Sequence, residues 1–351
     1  MSIKKNQTNI KYQMNIIVSV IVTTKNEEAN IGNCLQSIKA QTYLSRGSGS
    51  TLRDPQENIE IIVVDNNSTD KTKEIVEKFK KRFTPLNVQL FNRGPERSAQ
   101  RNYGIEKSKG KYVMYLDADM ILSPTVIERS VEKFQNQNSK SLKFNIHNTK
   151  YNDVLVALYI PEIILGNSYW SRVRRFERSF YDGTVIDCVR FIRKDIFDEV
   201  RGFDLNMTGP EDWDFDKKVR RMGKTKVIDS YNFEEINDKI GEVTGEENNL
   251  IETLLDLSQK PLIYHNEVKF NLIKYLRKKS YYGKSFSTYI NKWGKNDPDI
   301  KKQFGFWYRY FGIFVENGKL KKIIKHPFIF LGIFVLRFLV GISFAVNGFG
   351  K

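Results

Sequence analysis

Two hydrophobic rhythms alternate between residues 16 and 130. Ile16-Ile17-Val18-Ser19-Val20-Ile21-Val22 and Ile59-Glu60-Ile61-Ile62-Val63-Val64 are nearly continuous apolar runs, the pattern of strands covered on both faces of a parallel sheet. Val88-Gln89-Leu90-Phe91 and Tyr112-Val113-Met114-Tyr115-Leu116 predict two more strands. Between these runs the period changes. Residues 28–40 carry Ile31, Leu35 and Ile38 at helical spacing with Asn30 as N-cap, and further helices are predicted from Ser68-Thr69-Asp70 to about Lys81, from Ala99 to Lys107, and from Pro124 onward. The alternation predicts an α/β fold, an open and mostly parallel Rossmann-like sheet with flanking helices and right-handed crossovers.

Past residue 150 the rhythm is mixed. A strand is expected between Asp182 and Arg193, a turn at Gly202-Phe203-Asp204 and a helix from Trp213 to Arg221. Residues 232–257 hold 8 acids against one lysine, which predicts a surface insertion. Residues 1–15 read as a polar tail and 43–58 as a second, flexible insertion. The main domain is thus expected over 16–268. A C-terminal region, 269–351, follows with two features: a basic, aromatic amphipathic helix from Lys269 to Tyr282, and the run Phe328–Val346, 19 residues with the single charge Arg337.

Charge sharpens the division. The formal net charge is +16 over 351 residues, and Lys269–Lys325 alone holds 15 Lys or Arg against 3 Asp or Glu. Such a region favours anionic partners: phospholipid headgroups, lipid phosphates or nucleic acid. An apolar fraction of 40% with 28% charged residues excludes wholesale disorder. Cys34 and Cys188 stand alone, so neither a disulfide framework nor a zinc site is expected, and a reducing compartment fits.

Candidate chemistry gathers just beyond the carboxyl ends of strands, where open parallel sheets place ligands. The clusters are Thr23 to Glu27, Asp65 to Ser68, and Asp117 to Asp119. Carboxylates at i and i+2 beyond a buried strand suit a hard divalent cation, Mg²⁺ or Mn²⁺, carrying a diphosphate. Gly209-Pro210-Glu211-Asp212 opens a helix; its acids serve as helix-end charges or supply the base of a transfer reaction, with Asp212 or Glu211 as candidate. His265, after the apolar Leu262-Ile263-Tyr264, is either a core residue or a further metal ligand.

Five segments taken in order carry a resemblance: Val20 to Glu28, Ile62 to Asp70, Arg101-Asn102-Tyr103-Gly104, Leu116-Asp117-Ala118-Asp119, and Gly209 to Asp214. Together they resemble the family 2 glycosyltransferases of GT-A fold over roughly residues 16–225. The resemblance implies inverting transfer from a nucleoside-diphosphate sugar with a divalent metal. By motif, Thr23, Lys25, Glu27 and Asp65 would hold the base and ribose, Arg97 and Arg101 would lie near the nucleotide, and Asp117 would face the ribose. Asp119 would bind metal, with Asp117 and His265 as further ligands, and Asp212 would be the base. Three departures stand out: Asn66 where many relatives have a second Asp, the long 43–58 loop, and the insertion that precedes His265.

Arg277 to Lys284 also resembles a segment of members that act on membrane-bound acceptors. Basic and aromatic side chains together suit a headgroup zone. The 328–346 run is long enough to cross a hydrocarbon core, yet Arg337 is costly there, so a single span and an interfacial helix both remain open. Either places the protein on the cytoplasmic face of a membrane, with a polyprenyl phosphate or lipid-linked glycan as acceptor. Two rival readings are a nucleic-acid binder, which lacks a base-reading module, and a sugar-nucleotide-binding protein that has lost catalysis. A nucleotidyltransferase is disfavoured, since Thr-Thr-Lys-Asn-Glu-Glu follows the first strand in place of a Gly-rich loop.

Overall fold

The four apolar runs form strands whose neighbouring residues point to opposite faces. A computed structural model describes residues 16–44, 58–141, 154–242 and 250–348; the tail over 1–15 and residues 45–57 of the expected loop lie outside them. The first half of the chain runs β1 (Val18–Thr24), α1 (Ile31–Lys39), β2 (Ile59–Asp65), α2 (Thr72–Arg82), β3 (Asn87–Asn92), α3 (Arg97–Lys107), β4 (Tyr112–Asp117), β5 (Met120–Leu122) and α4 (Val126–Ser141). Then follow β6 (Leu155–Tyr159), β7 (Glu162–Ile164), α5 (Tyr169–Arg178), β8 (Phe191–Arg193), α6 (Lys194–Glu199), α7 (Glu211–Arg220) and β9 (Lys224–Val227). The last third comprises α8 (Phe233–Glu242), α9 (Leu250–Leu257), β10 (Ile263–His265), α10 (Leu272–Gly283), α11 (Phe286–Trp293), α12 (Pro298–Phe304) and a terminal helix, Pro327–Gly348.

Seven strands form one sheet in the order β3-β2-β1-β4-β8-β6-β9, all parallel except β8. Val20, Val22 and Val63 pack on one face with Leu35 of α1, while Ile21 and Val64 pack on the other with Ile105 of α3 and Phe215 of α7. Double coverage is why these strands read as unbroken apolar runs. A second sheet, β5-β10-β7, pairs His265 with Met120 across an antiparallel ladder.

Two expectations need correction. Only Phe191–Arg193 of the expected strand between Asp182 and Arg193 is extended. Upstream of it, side chains claim the local backbone: Asp187 Oδ2 accepts from Gly183 N–H at 2.8 Å, and Thr184 Oγ1 donates to the Tyr181 carbonyl at 2.7 Å. Such bonds compete with a ladder. The acidic segment 232–257, whose residues 243–249 lie outside the described ones, is more than a surface insertion. Glu235, Asp238, Glu252 and Asp256 face out and Glu234 pairs with His326, but Ile236, Ile240, Leu250 and Leu254 of α8 and α9 pack with Tyr264, Ile121 and Ile163.

Candidate active site

Strand register brings the polar clusters to one edge. Thr23 is paired with Asp117 and Thr24 with Asp65. The first two loops are then zipped together by their own motif residues. Asn26 N–H donates to Ser68 Oγ and Asn26 Oδ1 accepts from Thr69 N–H, each at 2.8 Å. Glu28 Oε2 accepts from Lys71 N–H at 2.9 Å, and Glu27 N–H donates to Thr72 Oγ1 at 2.8 Å. Asn30 occupies the α1 cap position, but its side chain does not cap: Nδ2 donates to Glu27 Oε2 at 2.7 Å and Oδ1 accepts from Asn266 at 2.8 Å.

The Arg101-Asn102-Tyr103-Gly104 segment divides its labour. Arg101 has no exposed surface; it donates to Asp117 Oδ1 at 3.0 Å and to Asp212 Oδ1 at 2.7 Å, and its guanidinium lies over Tyr115. Asn102 pairs with both backbone groups of Phe203, fixing the turn before α7. A Cβ on Gly104 would meet Ile21 Cγ2 at 2.6 Å, so α3 can lie this close to β1 only with glycine there. Arg97 joins Asp117 at 3.3 Å and Glu211 at 2.9 Å, and stacks 5.3 Å from Tyr282 of α10.

Asp117 therefore has both oxygens engaged, by Thr23 Oγ1 at 3.0 Å and by the two arginines. Burial would raise its pKa, but Arg101 and then Arg97 outweigh it and hold the carboxyl well below the usual range. Burial and the neighbouring charges of Asp119 and Asp117 push Glu27 up, against its bond from Asn30. Asp119 is placed differently: Oδ2 meets His265 Nε2 at 3.0 Å, while Oδ1 is buried without a partner. A backbone bond from Asn266 N–H to the Asp119 carbonyl, 2.8 Å, locks the two segments together. An orphaned carboxylate oxygen beside an imidazole fits a divalent cation that draws its other ligands from water and a diphosphate. Among the described residues, no three or more His, Cys, Asp and Glu side chains form a cage by themselves.

The two acids opening α7 part ways. Glu211 is buried, its Oε2 accepting from Gly209 N–H and Oε1 from Arg97, and burial pushes its pKa up. Asp212 opens onto a cavity of about 900 Å³ that His265 and Arg97 also line. Of the residues expected at the donor, Lys25 is exposed and free to meet a ligand. Asp65 and Arg101 have no exposed surface; Asp65 is occupied by the N–H and hydroxyl of Ser68, so both residues shape the edge from behind.

Several residues escaped the sequence reading. Cys188 Sγ touches the Tyr115 hydroxyl at 2.9 Å and donates to the Asp212 carbonyl at 3.3 Å. Beneath them Glu162 is held by Arg190 at 2.7 Å and Arg178 at 3.3 Å, and Arg178 also reaches Asp187 at 2.7 Å. Arginines inside otherwise apolar stretches were the available signal. Gly209 has φ +105°, and a Cβ there would meet Tyr282 Cβ at 2.4 Å, so the basic helix α10 rests directly on the turn that presents Asp212.

A sequence profile described as glycosyl transferase family 2 matches residues 19–201. The chain belongs to that family. Among curated relatives, glycosyltransferase AglE of Haloferax volcanii is 36% identical over 114 residues, covering 32% of this chain and 34% of its own. A dolichyl N-acetyl-α-D-glucosaminyl phosphate 3-β-D-2,3-diacetamido-2,3-dideoxy-β-D-glucuronosyltransferase of Methanococcus voltae is 23% identical over 228 residues, 61% of this chain and 66% of that one. This family 2 chain thus spans between a third and two thirds of these relatives' lengths. Among solved structures, mannosyltransferase PcManGT from Pyrobaculum calidifontis, with GDP-Man and Mn²⁺, has a TM-score of 0.48 and 15% identity, covering 96% of this chain and 76% of that one.

Proposed function

We propose that this family 2 chain transfers one sugar from a nucleoside-diphosphate donor to a lipid-linked acceptor at the cytoplasmic surface of a membrane, with inversion and with Asp212 as base. The observation that carries the reading is the cavity: the same space is lined by Asp212 and His265 and by Val340, Gly341 and Phe344 of the apolar terminal helix. The Methanococcus relative, whose name describes a dolichyl-linked acceptor, supports the acceptor class.

In this reading Asp212 takes the proton of the acceptor hydroxyl, whose oxygen bonds to the anomeric carbon as the bond to the diphosphate oxygen breaks. Arg101 positions Asp212 and shields it from Asp117. Lys25, Thr23 and Glu27 frame the nucleotide end. Asp119 and His265 would hold the divalent cation, which supplies positive charge to the leaving diphosphate.

The terminal helix lies in the membrane interface and does not span. Its 22 residues are apolar enough to cross a bilayer, but Arg337 Nε donates to Glu177 of α5 at 2.8 Å and NH2 to the Tyr181 hydroxyl at 3.2 Å. Ile333 and Leu336 pack with Val173 and Phe176 of α5. Opposite them Phe328, Leu331, Val335, Phe338 and Ile342 form one exposed stripe, 43–81% accessible, at the spacing of a helix face. Lys321 and Lys325, both exposed, precede it and suit anionic headgroups, whereas Lys322 turns inward to the Ser179 carbonyl at 3.3 Å.

Purified protein incubated with Mn²⁺, a panel of UDP-, GDP- and dTDP-sugars, and vesicles carrying a polyprenyl-phosphate-linked sugar, whose hydroxyl is the nucleophile, is expected to release one nucleoside diphosphate in a lipid-stimulated reaction. The product should carry the inverted anomeric configuration by NMR. Turnover with free soluble sugars and none with lipid would overturn the acceptor class.

A further inference from the structure

Nine lysines and arginines line the cavity against five acids. Five arginines take those acids, or the acids beside them, in ion pairs: Arg97, Arg178 and Arg190 as above, Arg174 with Glu267, and Arg337 with Glu177. Four cations remain: Lys278, Lys279, Lys284 and Arg309. Among the described residues none of them forms an ion pair, and each instead faces a tyrosine ring 5.3–5.8 Å away. Arg309 NH1 is buried without a hydrogen-bond partner, as is NH1 of Arg178, Arg190 and Arg337, but Arg309 alone of these four has no ion pair among the described residues.

Lys278 and Lys284 are exposed and met by water, whereas Lys279 and Arg309 are half-buried, and an enclosed cation without a counter-charge is costly. Lys279 shows the cost: burial, then Arg174 and Lys278, push its ammonium down to about 7. The surplus also has a direction. Lys278 is within electrostatic reach of Asp117 and Asp119. Lys279 and Arg309 sit within reach of Glu177, the partner of Arg337 on the terminal helix. Apolar surface continues from there, with Phe344 against Phe286 and Gly283.

We infer that Lys279 and Arg309, with Lys278 at the catalytic side, bind the phosphate of the lipid acceptor, and that its hydrocarbon chain leaves the cavity past Val340 and Phe344 along the terminal helix. This deepens the acceptor reading above and rests on it. A phosphate supplies the missing negative charge and accepts from the orphaned guanidinium N–H. The tyrosine rings and Phe344 provide the apolar wall that a soluble phosphate does not need.

The test uses full-length protein and vesicles of phosphatidylcholine carrying polyprenyl phosphate, the parent polyprenol, or no addition, with inorganic phosphate as the soluble arm. Sedimentation is expected to show at least tenfold tighter binding to the phosphate lipid than to polyprenol. Lys279→Gln and Arg309→Gln should erase that difference, and Lys279→Arg should retain it. Donor affinity, measured by calorimetry on the same samples, reports on folding. Equal binding of polyprenol and its phosphate would overturn the site, as would inorganic phosphate competing at equal affinity, or unchanged selectivity in both Gln variants. Lysine-dependent lipid binding without any sugar transfer would uphold this site and sink the acceptor reading instead.

Discussion

Two groups of cations flank the candidate site, and they differ in what they touch. Arg97 and Arg101, on α3, meet Asp117, Glu211 and Asp212 at 2.7–3.3 Å. Lys278, Lys279 and Arg309 meet aromatic rings and no carboxylate among the described residues. The charges of the first group are matched by the chain's own carboxylates, although Arg101 Nε is buried without a partner; the second group has no carboxylate within ion-pair distance among the described residues. Sequence alone does not separate them, because an arginine in a motif and a lysine in a basic stretch carry the same formal charge.

The difference can be broken from either side. The largest effect belongs to the proposed base: Asp212→Asn should lower the transfer rate about 10²–10⁴-fold in kcat, with the fold preserved by circular dichroism. Next, Arg101→Met leaves Asp212 without its cation and Asp117 with Arg97 alone, and removing one partner of a buried pair costs about 3–5 kcal/mol. Denaturant titration should show that loss, whereas Lys279→Met should leave stability unchanged or higher. Arg337→Leu should destabilise the docked helix, and the double change with Glu177→Leu should recover most of the loss, since replacing both charges restores an apolar contact. Phe338→Asp on the exposed stripe should weaken vesicle sedimentation by about tenfold, roughly 1.4 kcal/mol, without changing turnover of a detergent-dispersed acceptor.

The smallest effect is a pH dependence. Lys279 titrates near 7 in the folded chain and at its ordinary 10.5 when unfolded. Between those values the folded state binds fewer protons, so stability from this group rises as pH climbs through 7. Phosphate binding needs the charged form and runs the other way: affinity for the phosphate lipid should fall between pH 7 and 9. Arg174, Lys278, Glu177 and Arg309 face the ammonium across that range, and the Lys279→Arg variant should remove the slope.

The sheet was legible because double burial leaves a signature that single residues cannot hide: β1, β2 and β4 read directly from their apolar runs. That the polar clusters share one sheet edge was legible, and the register of Thr23 with Asp117 and Thr24 with Asp65 explains why. Roles within the clusters were not. Asp65 and Arg101 are motif residues with no exposed surface, and burial is decided by what packs above them from distant parts of the chain. His265 seemed detached from its motif by the acidic segment; α8 and α9 fold that segment against Tyr264 and return β10 to the side of β5. Composition alone does not show that the terminal helix docks on α5, because the contact that holds it there, Arg337 with Glu177, joins residues 160 apart.

Gly209 brings these parts into contact. Tyr282 of α10 sits on its bare Cα, and the hydroxyl of Tyr281 donates to Glu96 at 2.6 Å at the start of α3. The helix that carries Lys278 and Lys279 therefore rests both on the turn that precedes Asp212 and on the start of α3. Any side chain at position 209 would have to push that helix off the turn, so the two pack this closely only with glycine there.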